Sequence, residues 1–141
     1  MSKKKSPNLN IIDGLKQASL DAFKDQHYLE SSIIIFQTIE FLLRLAIKGY
    51  GRPHGVSDEN IKKCSDDEIS FSQLVLYLDL IKPENGLGEK LLDLNKERNA
   101  IVHRLFYEFD SFDSLQDQVK EFCLKGVRLN KELREFLGVN E

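Results

Sequence analysis

Tryptophan is absent from these 141 residues, proline occurs three times, and the two cysteines stand far apart. So few prolines leave long stretches in which nothing interrupts a helix. Cys64 and Cys123 form no CxxC pair, and no secretory leader is recognisable, so the chain reads as one for a reducing, cytosolic setting. No apolar run is fit to cross a bilayer: the richest, residues 33–47, is broken by Gln37, Thr38, Glu40 and Arg44. HxxxH, HExxH and paired cysteines are all missing, so no metal site is expected. The P-loop and GxGxxG patterns are missing too, and no cofactor is expected. An excess of positive charge is lacking as well. The formal charge of −3 argues against a protein that coats nucleic acid, yet a local cluster of cations still suffices for one scissile phosphate.

What is present is helical periodicity. Apolar residues make up 41% of the chain, too many for disorder and enough for one buried core in a single domain over residues 1–141. Lys3, Lys4 and Lys5 lie in a basic tail over residues 1–8, expected to be flexible. Ile11, Ile12, Leu15, Ala18 and Ala22 predict a first helix over about 8–24. A second, apolar almost all round, is expected over 28–48 and should end at the Gly49–Gly55 turn. Residues between this turn and Ser65 read as a polar stretch. Ser65-Asp66-Asp67-Glu68 has capping-box spacing and is expected to open a short helix ending at Pro83. After the Asn85–Gly88 turn, a long helix is expected over 89–109, with Asp110 or Ser111 capping the last one.

The last helix has the cleanest pattern. Phe112, Leu115, Val119, Phe122, Gly126, Leu129, Leu133 and Phe136 follow steps of three and four, a packing seam with Gly126 as the one point of close approach. No segment alternates with period two, so the expected class is all-α.

Two charges interrupt apolar stripes. At about 100° per residue, Arg98 falls among Leu91, Leu94, Ile101, Val102 and Leu105, and Glu40 among Ile33, Phe36, Leu43 and Ile47. A buried guanidinium needs a partner, so Glu40 and Arg98 are expected to pair across two core helices. Asn99 and His103, four residues apart, share the flank beside Arg98. His27 and His54 fall at turns or helix ends and are given no role.

Arg98-Asn99-Ala100-Ile101-Val102-His103 resembles the R-x4–6-H signature of the HEPN superfamily, and Phe36-Gln37-Thr38-Ile39-Glu40 resembles that family's glutamate-bearing helix. The resemblance implies a four- to five-helix up-and-down bundle that forms a homodimer, with both motifs lining one cleft. It implies an RNA substrate and a metal-independent endoribonuclease of toxin or defence systems, some of them paired with an antitoxin. Arg98 and His103 would be catalytic, with Asn99 and Glu40 in support. Other members are non-catalytic and dock partner proteins. One toxin branch carries a tyrosine two places after the histidine, where this chain has Leu105, with Tyr107 two further on.

Overall fold

A computed structural model describes residues 7–65, 68–107 and 112–138. Six α-helices and one 3-10 turn account for most of them, with no strand among the described residues. The helices are α1 (Pro7–Lys24), α2 (Tyr28–Tyr50), α3 (Asp58–Ser65), α4 (Phe71–Ile81), α5 (Gly88–Tyr107) and α6 (Phe112–Phe136). The all-α expectation is met. Of the flexible tail expected over 1–8, residues 7 and 8 already belong to α1, while residues 1–6, the proposed caps Asp110 and Ser111, and the expected end of α5 at Phe109 lie outside the described residues.

α2 is the hub, packing on α1, α4 and α6, because nearly every face of it is apolar. Ile35, Ile39, Leu42, Leu43 and Ile47 are all buried there. The turn from α1 into α2 is tight. His27 N–H bonds Ala22 O at 2.8 Å and Gln26 N–H bonds Phe23 O at 3.0 Å, closing a Schellman motif around Gln26, whose φ is 62°. Ser31 Oγ then donates to Ser19 O at 2.9 Å, stitching the two helices together just below the turn.

The seam on α6 packs within the chain. Leu115, Val119, Phe122, Leu129 and Leu133 are buried, and Gly126 meets α2 so closely that a Cβ there would stand 2.4 Å from Ile35 Cγ2. Only a residue without a side chain permits that crossing.

Two expectations about local structure are corrected. The stretch after the Gly49–Gly55 turn holds a helix, α3, which raises the count above four or five. Ser57 Oγ accepts Asn60 N–H at 3.2 Å, Asp58 and Glu59 fill the first turn, and Lys62 and Lys63 the last, so charges match the helix dipole at both ends. Cys64 is its buried anchor. The cap of α4 is Ser70 rather than Ser65, which belongs to α3. Ser70 Oγ accepts Gln73 N–H at 3.2 Å, while Asp66 and Asp67 lie outside the described residues.

α5 starts from a side-chain scaffold. Asn85 Oδ1 accepts Leu87 N–H at 2.7 Å and Gly88 N–H at 3.1 Å, and Asn85 Nδ2 donates to Asp79 at 2.7 Å, fixing α5 against the end of α4.

Candidate functional site

α5 buries Leu91, Leu94 and Ile101 toward the other helices, and its C-terminal half turns the opposite flank outward. Arg98, Asn99 and His103 are all exposed, with Asn99 and His103 neighbours on one face and Arg98 turned about 140° from His103 around the axis. Five residues separate Arg98 from His103, about 7.5 Å along the axis. The amide and the imidazole are therefore neighbours, while the cation stands apart from the imidazole around the axis and reaches Asn99 Oδ1 at 3.4 Å.

The expected ion pair between Glu40 and Arg98 is not formed. Glu40 pairs with Arg44, one turn along its own helix, at 3.5 Å. Arg44 also donates to the carbonyl of Cys64, so Glu40 supports the α2–α3 junction and not the α5 flank. Arg98 instead lays its guanidinium over the ring of Phe36, Cζ to centroid 4.5 Å. Phe36 is 3% exposed and also stacks on Phe71 at 4.7 Å. The physical reason is the length of the side chain. Arg98 sits within its apolar stripe, but its long side chain lets the methylenes follow the core while the charge reaches water and is compensated by a ring face. Val102, expected in the same stripe, is 42% exposed.

Among the described residues Arg98 makes one hydrogen bond, a long one of 3.4 Å to Asn99 Oδ1, which leaves most of its N–H groups to an incoming oxyanion. His103 lies against Tyr107, with ring centroids 5.1 Å apart and planes inclined by 31°. Arg104 turns to α6, donating to Gln118 Oε1 and, at 3.3 Å, to Ser114 Oγ. Its work is to hold α5 to α6, so it is not a free phosphate contact on the flank.

Thus Asn99 and His103 share one face, Arg98 is exposed on the same helix to one side of them, and Glu40 does not join them. Phe36 is the residue that sequence reasoning missed as Arg98's support. It lies four places before Glu40 on the same face of α2, and the choice between a carboxylate and a ring one turn apart is not legible in spacing. The described residues hold no group of three or more His, Cys, Asp or Glu arranged for a metal ion, and no described helix is long and apolar enough to cross a membrane. Comparisons with protein families, with curated proteins and with solved structures returned no match.

Proposed function

We propose that this chain is a HEPN-type endoribonuclease, a toxin or defence effector, that cleaves RNA by attack of a 2′-hydroxyl on its own phosphate. The observation that carries the reading is the exposure of Arg98, Asn99 and His103 within two turns of α5, with Arg98 steadied by Phe36 and otherwise sparsely bonded.

In this reaction the 2′-oxygen forms a bond to phosphorus and the bond to the 5′-oxygen breaks. The products end in a 2′,3′-cyclic phosphate and a 5′-hydroxyl. An imidazole exchanges protons near neutral pH, which suits His103 to take the proton of the nucleophile or to give one to the leaving oxygen. The guanidinium of Arg98 would neutralise the charge that grows on the phosphoryl oxygens. Asn99 would orient the phosphate. One subunit offers a single imidazole, so acid and base together call for a second copy across a two-fold axis, and the reading includes a homodimer.

A second reading is a non-catalytic module that dimerises or docks another protein, such as an antitoxin. Leu76 and Leu80, one turn apart on α4 and 55% and 51% exposed, favour it as apolar surface suited to a protein partner.

The test incubates wild type and His103→Ala with single-stranded and structured RNA, with and without EDTA. The ribonuclease reading expects EDTA-resistant cleavage ending in cyclic phosphate, slowed by about 10²–10⁴-fold in a folded mutant. Unchanged cleavage by the mutant removes His103 from the chemistry. A wild type inert across varied RNAs leaves the docking module.

A further inference from the structure

We infer that the cavity between α1, α2 and α6 is a binding site for a small organic anion, a carboxylate or phosphate ester carrying an apolar body. The cavity measures about 450 Å³, within the range of small-molecule sites. None of the residues lining it lies on α5, so the inference is independent of the proposed nuclease.

Its defining residue is Arg134. Charged side chains are seldom buried without full pairing, yet Arg134 is 7% exposed and its guanidinium makes one 3.3 Å contact, to Asp13 Oδ1. Arg134 Nε is buried with no hydrogen-bond partner. Asp13 is partly open to solvent and engaged in a further interaction, so it compensates the arginine only in part. A buried cation in this state is costly, and an anion in the adjoining cavity would offset that cost with the charge and acceptors now missing.

The rest of the lining sets the class of ligand. Lys16 and Lys131 stand with Arg134 against the carboxylates of Asp13 and Glu135, which leaves the pocket net positive in a chain of net charge −3. Leu20, Ile35 and Val127 supply an apolar wall for a hydrocarbon body. Thr38 already donates its hydroxyl to Ile34 O at 2.7 Å, so donors to an anion come from the arginine, the lysines and the Asn130 amide. Gly126, Asn130 and Arg134 follow one another at four-residue spacing on α6. The close crossing at Gly126 therefore borders the cavity, and the two polar residues one and two turns on line it.

The experiment is a titration of the isotope-labelled full chain, followed through backbone amide resonances, with hexanoate, hexyl phosphate, neutral hexanol and inorganic phosphate. Saturable shifts at Ser19, Thr38 and Asn130 are expected with hexanoate or hexyl phosphate, and the tighter of the two identifies carboxylate or phosphate as the natural head group. Hexanol and inorganic phosphate, each lacking one half of the ligand, should bind at least about tenfold more weakly. Arg134→Met should weaken the organic anion at least about tenfold, and so should Val127→Trp, which obstructs the cavity while leaving the arginine in place. The second variant keeps the test decisive if the first does not fold. Absence of saturable shifts at about 1 mM of either anion, equal binding of hexanol, or affinity unchanged in both variants would overturn the inference.

Discussion

The guanidinium of Arg98 rests on the ring of Phe36, and this contact replaces the ion pair that two opposite charges in apolar stripes had suggested. It changes what the arginine contributes to stability. A cation on a ring near solvent is worth about 0.5–1 kcal/mol, against about 3–5 kcal/mol for breaking a buried ion pair. Arg98→Ala should therefore unfold in urea with a loss of about 1 kcal/mol, so that any larger loss of RNA cleavage is separable from folding. A loss of 3 kcal/mol or more, on that scale, would reinstate a buried pair.

The roles of Glu40 and Arg44 differ in the same experiment. Their ion pair is only partly buried, so Glu40→Gln should cost less than about 1 kcal/mol. Arg44→Met also removes the donor to Cys64 O and should cost about 1–3 kcal/mol, with faster amide exchange in α3 as its local signature. Equal losses for the two variants would contradict the assignment.

Gly126 gives a test of helix packing. Alanine improves helix propensity by about 1 kcal/mol, but its Cβ would meet Ile35 Cγ2 at 2.4 Å, and overpacking costs about 1–3 kcal/mol. Gly126→Ala should be net destabilising, and Gly126→Val more so. Leucine has no β-branch, so Ile35→Leu removes the clashing methyl. A double-mutant cycle should show Ile35→Leu relieving the alanine by at least about 0.5 kcal/mol. Additive effects would mean that the two helices do not cross there.

Gln26 occupies a left-handed position at the end of α1, with φ 62°. Glycine adopts this conformation without the side-chain penalty. Gln26→Gly should raise the stability by about 0.5–1 kcal/mol, after the greater chain entropy of unfolded glycine is counted. A fall in melting temperature would argue against the Schellman turn.

Burial pushes the Cys123 thiol up from 9.0 to about 11, with a partial counter-effect from the Ser31 hydroxyl, and its Sγ lies 3.3 Å from Tyr28 O. The unfolded chain loses this proton at lower pH than the folded one, so the folded state holds more protons between the two values. Stability from this group is complete below pH 9 and is lost as the pH rises from 9.0 toward about 11. Urea midpoints should fall across that window, less steeply in Cys123→Ala. Cys64 is displaced in the same direction by burial, opposed by Arg44, so Cys123→Ala should keep part of the slope.

Legibility in the sequence followed the strength of the apolar pattern. The α6 seam and the central place of α2 were readable because continuous helical periodicity leaves little choice of buried face. α3 was hidden because Cys64 is its one fully buried side chain among the residues described, and the remainder looks like a polar loop. On α5 the wheel put Arg98 inside a stripe, but a wheel does not say where neighbouring helices end. The exposure of Val102 marks the point where cover runs out. Arg134 escaped notice beside Leu133, since its ion-pair partner Asp13 stands 121 residues earlier in the sequence.

The Gly126–Ile35 crossing joins segments separated by most of the domain, with consequences for how the chain is made. During synthesis α2 is complete while α6 is still untranslated, so an apolar helix waits for its principal cover, and bringing the two together closes a long loop. Chains ending before residue 112 should aggregate or remain bound to chaperones, and a peptide of residues 112–138 added in trans should restore a soluble helical domain. α6 therefore closes this bundle: until it is made, neither the packing of α5 nor the cavity around Arg134 has its walls.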